Sequence, residues 1–160
     1  ETLYLHGSTG SWMRRAAADG AEACVTVTVV DGLVLARSAF HHSINYRSVV
    51  LFGRPREVSE PAEKAAALRA VVEHALRGRS AEVRGPNPRE LAATSVLAVG
   101  LAEVSAKVRT GPPVDDEEDL SAPTWAGVLP VVTGYGVPVP APELPAGAAL
   151  PDSLTGLHQS

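Results

Sequence analysis

The sequence predicts a mostly β fold with helices (β+α), a small barrel, on three observations. Val-, Leu- and Thr-rich runs separated by turn residues dominate the first two-thirds of the chain, and one long amphipathic segment interrupts them. At 160 residues the chain has the length of one domain, enough to bury about two-thirds of its unfolded surface around a single core. That core should be built from small branched side chains, because aromatic residues make up only 4% of the sequence.

The elements follow in order. Thr2 to His6 alternates as a strand, Gly7 to Thr9 breaks it, and Ser11 caps a short helix that Gly20 ends. Cys24 to Val30, Asp31-Gly32 and Leu33 to Ser38 read as a hairpin, since Asp-Gly suits a tight two-residue turn. Tyr46 to Val58 is a third long strand, at an edge or bulged near Arg54-Pro55. Ser59 caps a helix with Pro61 in its first turn. Ala65, Leu68, Val72, Ala75 and Leu76 form its apolar face, and Glu60–Lys64 and Glu73–Arg77 are i,i+4 pairs. G-P-N-P-R-E-L begins a shorter helix, Ser95 to Arg109 alternates as one long strand, and Trp125 to Val132 is the last strand. Residues 1–133 are read as the barrel domain and 134–160 as an extended Pro/Gly/Ala-rich surface tail.

Net charge is −4, with cations scattered rather than striped, so no nucleic acid is expected as partner. The single Cys24 excludes an intramolecular disulfide, and its apolar setting reads as a core position. No apolar run reaches the roughly 20 residues of a membrane helix and nothing resembles a signal peptide, so a cytoplasmic protein is expected. The opening E-T-L-Y-L-H-G reads as the middle of a strand pattern, which implies that an N-terminal portion precedes it.

The element order is that of a split barrel with inserted helices, and three strings make it specific. L-Y-L-H-G-S-T-G-S, then A-F-H-H-S-I-N-Y-R-S-V-V-L-F-G-R, then S-A-K-V-R-T-G-P-P-V-D-D-E-E-D resemble the pyridoxamine 5'-phosphate oxidase-like FMN-binding split-barrel superfamily, in the branch that includes the nitroimidazole-resistance proteins. The resemblance spans roughly the first 130 residues. It implies a homodimer with FMN at the subunit interface, and cofactor-binding roles for His6, Ser8, Ser11, Arg14, His41, Asn45, Tyr46, Arg47, Ser48, Lys107 and Arg109.

A flavin phosphate calls for hydroxyls, backbone N–H groups and a guanidinium. Relatives commonly place Arg or Lys just after the position of Ser11, where this chain has Trp12 and Met13. That departure makes Arg47 the leading phosphate cation, with Arg14 second. Taken alone, Ser8 and Ser11 read as turn and cap residues, and Arg14 and Arg15 as solvated helix charges. On a strand His41 and His42 would point to opposite faces, which disfavours a shared metal and leaves one of them for the flavin edge or substrate. Tyr46 and Ser48 should share one strand face and Arg47 the other. Lys107 and Arg109 share a face and can meet phosphate, flavin, or the acidic run from Asp115 to Asp119, which itself reads as a solvated loop.

The reading that follows is a flavin-dependent oxidoreductase passing hydride from a reductant, NADH or NADPH being candidates, to a small organic acceptor. Oxidation of pyridoxamine phosphate itself is disfavoured. Relatives that perform it carry a C-terminal Arg- and His-bearing segment, where this chain has V-P-V-P-A-P-E-L-P-A-G. Two alternatives stay open: a flavin-binding module without turnover, or a haem protein using His41, His42 or His6.

Overall fold

The computed structural model describes residues 1–145, 147–155 and 157. The order is β1 (Thr2–Ser8), α1 (Trp12–Ala18), β2 (Ala23–Leu35), β3 (Ser43–Gly53), β4 (Arg56–Glu57), α2 (Pro61–Ala75), α3 (Arg79–Glu82), α4 (Pro88–Ala93), β5 (Thr94–Gly100), β6 (Glu103–Arg109) and β7 (Gly127–Pro130). A three-stranded sheet has the order β1-β5-β4 and a four-stranded sheet the order β6-β3-β2-β7. The mostly β fold with helices is the one expected.

The chain divides into two compact units. The first contains Glu1–Ala23, Gly53–Leu101 and Gly134–Ser160, and the second Cys24–Phe52 and Ala102–Thr133. In the first, β1 pairs antiparallel with β5 from Thr2↔Gly100 to Ser8↔Thr94. Val58, Ala67, Val96 and Ala98 form its buried cluster, against which Tyr4 and Leu68 pack. Its helices carry the local signals read from the sequence. Ser11 Oγ accepts from the Arg14 N–H, and Gly20, at φ +76°, ends α1 with its own N–H on Ala17 O and the Ala21 N–H on Ala16 O. Asn87 and Glu90 form a reciprocal capping box on α4. The described residues from 134 on are mostly irregular; a short 3₁₀ turn, Asp152–Leu154, is tied to Glu82 by the Ser153 N–H at 2.8 Å.

Several expectations are corrected. Asp31-Gly32 makes no hairpin turn: β2 runs straight through it, and its end pairs with β7 from Gly32↔Pro130 to Leu35↔Gly127. Gly32 is needed there for close approach, since a Cβ would lie 2.9 Å from Val128 Cγ1 and 3.1 Å from Leu129 O. The third strand breaks at Arg54-Pro55, where proline cannot donate to a ladder, and β3 and β4 belong to different sheets. The long strand 95–109 likewise splits at Gly100 into β5 and β6. The last strand is only Gly127–Pro130, and the α2 cap is Glu60 rather than Ser59, without a side-chain bond.

The two α2 pairs are absent among the described residues because backbone groups take the charges. Lys64 Nζ donates to Leu91 O at 2.7 Å, and the Glu73 carboxylate accepts the Gly78 and Ser80 N–H groups. The Ser80 hydroxyl first, then the Gly78 and Ser80 N–H groups, hold the Glu73 carboxyl below its ordinary range. Cys24 is exposed, not core, because that stretch of β2 is uncovered within a single chain.

Candidate functional site

In the four-stranded sheet, β3 and β6 pair with Tyr46 opposite Arg109, Arg47 opposite Val108 and Ser48 opposite Lys107. Side chains alternate across a strand, so Tyr46, Ser48, Lys107 and Arg109 share one face. Thr28 joins them from β2: its Oγ1 lies 2.8 Å from Ser48 Oγ. Two hydroxyls, a phenol, an ammonium and a guanidinium thus line one strip of sheet. Arg109 is oriented from within, its Nη1 donating to Asn45 Oδ1 at 2.8 Å, while Asn45 Nδ2 donates to Gly111 O at 3.0 Å. Asn45 is buried, so it acts as the fixed bracket of that guanidinium.

Arg47 lies on the other face, as alternation requires. Its Nε and Nη2 donate to the two Asp31 oxygens at 3.0 and 2.8 Å, a bidentate pair that holds the Asp31 carboxyl below its ordinary range. An anion reaching Arg47 must compete with that carboxylate.

His41 and His42 do not sit on a strand. Ala39–His41 is a 3₁₀ turn, so the opposed-faces argument does not apply to them. His41 Nε2 is 3.1 Å from Asp116 Oδ2, and His42 Nδ1 is 2.9 Å from Ser38 O. The acidic run is also not a plain solvated loop at its start. The Asp115 side chain is 1% exposed and accepts from the Arg37 N–H and Nη1, both at 2.7 Å. Burial would raise its carboxyl, but the Arg37 backbone bond, guanidinium bond and charge together keep it below the ordinary range. Beside it, the buried Arg37 Nε and Ser38 Oγ have no partner among the described residues, which leaves polar atoms that a ligand edge or water can satisfy. No group of three or more metal-ligating side chains is present among the described residues.

In the first unit, the turn before α1 uses its hydroxyls locally. Ser8 Oγ accepts the Gly10 N–H and Ser11 Oγ the Arg14 N–H, each keeping its own O–H to donate. Arg14 Nε pairs with Glu57 Oε1 at 2.6 Å, and Arg15 Nη1 donates to Gly10 O. His6, opposite Val96 on β1, does something different: it lines a cavity of about 670 Å³. One cavity wall is the α2 face carrying Ala65, Leu68 and Val72, another is Val83 and Pro86, and Arg69 and Arg84 bring cations. Arg84 is held by Glu90 at 2.6 and 2.8 Å, and that ion pair, with the Asn87 N–H, pushes the Glu90 carboxyl down to about 2.

The sequence-named residues therefore fall into four groups: the strip on β3 and β6 with Asn45 behind it, Arg47 on the opposite sheet face, the His41–His42 turn, and the β1–α1 segment. Sequence reasoning missed Thr28, Arg37, Asp115, Arg69 and Arg84. For Thr28 the signal was its place in V-T-V-T, where threonines alternate with an apolar face; the others announce themselves only through long-range contacts.

Comparisons with known proteins agree with this architecture. The family model described as pyridoxamine 5'-phosphate oxidase matches residues 1–108. A solved structure of an FAD and haem binding protein from Mycobacterium smegmatis is 44% identical, with a TM-score of 0.92, covering 99% of this chain and 78% of that one. The flavocytochrome Anf3 from Azotobacter vinelandii is 40% identical, with a TM-score of 0.87, covering 96% of this chain and 71% of that one. A 5-nitroimidazole-resistance-type protein from Bacteroides thetaiotaomicron shares the fold at 18% identity and a TM-score of 0.54, over 66% of this chain and 60% of that one. No curated protein sequence matches the chain. With more than half of its length matched by that family and two solved relatives at 40% identity or above, the chain belongs to the pyridoxamine 5'-phosphate oxidase family.

Proposed function

We propose that this chain is a flavin-dependent redox protein that takes hydride from NADH or NADPH and delivers reducing equivalents to a small organic acceptor. The observation that carries the reading is the strip of Thr28, Ser48, Lys107 and Arg109 on one sheet face. Its donor chemistry fits a phosphorylated ligand, and two close relatives are named for a flavin or for FAD. Lys107 supplies a point charge, Arg109 a planar fork pre-set by Asn45, and the Thr28–Ser48 hydroxyl pair, one O–H of which is spent on the bond between them, one further donor. FMN is the smallest flavin that satisfies this set, and FAD contains the same moiety. A bound flavin supplies the hydride and electron chemistry, while the chain holds, orients and shields it.

The reading includes a homodimer. The opposite sheet face exposes Val27, Val29, Val49, Val104, Val108 and Leu129, with Val108 63% exposed. A contiguous apolar face of this kind marks an interaction surface. A second copy is the occupant that the resemblance implies, and the Arg47–Asp31 pair in the middle of the face would set its register.

Haem is a second reading, favoured by the apolar, His6-lined cavity and by the two relatives named as a flavocytochrome and as an FAD and haem binding protein.

The test is spectral. Protein purified as the full chain should show flavin absorbance that NADH or NADPH bleaches anaerobically, and chromatography of the released cofactor distinguishes FMN from FAD. Failure of the pure protein to bind either added flavin would sink the proposal, and bound flavin that neither nicotinamide reduces would remove the proposed donor.

A further inference from the structure

We propose that the cavity beside His6 is a haem site in which His6 supplies the axial ligand to iron and Arg69 meets a propionate. The assignment rests on the haem reading above and deepens it by choosing among the chain's histidines. Protein-bound haem requires three things together: an apolar slot for the macrocycle, a ligand on its wall, and cations where the propionates emerge. The first unit holds all three in one place.

The slot is the cavity of about 670 Å³, within the range of roughly 300–1,000 Å³ typical of sites for organic ligands. Its long wall is the α2 face around Leu68, which is fixed because Ala67 and Leu68 pack with Val58, Val96 and Ala98. His6 is the imidazole lining it among the described residues. Strand alternation puts His6 on the same side of β1 as Tyr4, whose hydroxyl donates to Glu63 of α2 at 3.1 Å, so the ring is directed to the α2 side. Arg69, on α2, is exposed and lines the same cavity. Arg84 does so as well, but Glu90 already holds it, so it forms a rigid part of the wall.

His42 is the competitor. Its Nδ1 donates to Ser38 O, and among the described residues its Nε2 has no hydrogen-bond partner, an arrangement common in metal-binding histidines. Neither His42 nor His41, which faces Asp116, lines this cavity. A porphyrin needs the slot as much as the nitrogen, and the two coincide at His6.

The experiment is titration of the purified full chain with ferric haem, read by the Soret band and by circular dichroism for fold. The wild type should bind saturably with a sharp, shifted Soret band. His6→Ala should weaken binding at least tenfold and return the band toward that of free haem, with added imidazole restoring it. His6→Cys should give the spectrum of a thiolate-ligated haem, a signature that a structural role for His6 would not produce. Arg69→Ala should weaken binding of haem about tenfold but leave binding of its dimethyl ester unchanged. No saturable Soret change in the folded wild type would overturn both the haem reading and the site. Haem binding lost in His42→Ala but unaltered in both His6 variants would overturn the site alone.

Discussion

Arg37 and Asp115, 78 positions apart in sequence, are joined by two hydrogen bonds of 2.7 Å, one from the arginine's backbone N–H and one from its Nη1. The Asp115 side chain is almost fully buried, whereas in the Arg47–Asp31 pair, also short and bidentate, the arginine side chain is 62% exposed. A buried pair broken at one end strands a charge, while an exposed pair is screened by water. Asp115→Ala should therefore lower the melting temperature by more than about 5 °C, and Asp31→Ala by no more than about 2 °C. Equal shifts in parallel thermal melts would contradict this ranking.

Lys107 and Ser48 face each other across β3 and β6, and a phosphorylated ligand on that strip would lose a charge-assisted contact in Lys107→Ala. Flavin affinity, followed by quenching of flavin fluorescence, should fall roughly ten- to a hundredfold. Arg47→Ala should have the smaller effect, because Asp31 already engages that guanidinium. A larger effect of Arg47 would move the phosphate contact to the other sheet face.

Val108, 63% exposed and opposite Arg47, lies on the apolar sheet face, on the edge strand β6. If a second copy covers it, Val108→Asp buries an unpaired charge in the interface, and light scattering after gel filtration should show monomer in place of dimer. A wild-type chain that is monomeric at all concentrations would rule the dimer out.

Glu90 has its folded pKa depressed from 4.5 to about 2 by the Arg84 guanidinium and the Asn87 N–H. For a depressed carboxyl, the stabilisation is fully present above the unfolded value and is lost as pH falls through the folded one. The melting-temperature gap between wild type and Glu90→Gln should be constant above about pH 5 and close between pH 4.5 and 2. A gap that persists at pH 2 would show that the charge of Glu90 is not what stabilises the α4 cap.

Much of this was legible locally. The Ser11 cap and the Gly20 stop are set by residues within a few positions of each other and formed as read, and G-P-N-P-R-E-L began a helix as read, though its Asn87–Glu90 box appeared only in the structure. The separation of Arg47 from Tyr46 and Ser48 followed from the two-residue period of a strand alone. Asp31-Gly32 misled because the same dipeptide that favours a tight turn also tolerates an extended strand, and β7, about 100 positions away, supplied the partner that decided between them. Cys24 misled because burial was inferred from apolar neighbours, and the face on which they lie is uncovered in one chain.

The sequence by itself determined the β-rich character of the chain, the presence of α1, α2 and α4, the family, and the residue types a phosphorylated ligand would meet. Those depend on short-range periodicity and on strings of adjacent residues. Only the tertiary structure decided that Thr28 joins Ser48 and Lys107, that Arg47 is engaged by Asp31, that Asp115 is buried against Arg37, and that His6 rather than the His41–His42 turn lines an apolar cavity. Each of these is a contact between segments far apart in the chain. Strand register and helix docking, which no local pattern encodes, choose which side chains meet.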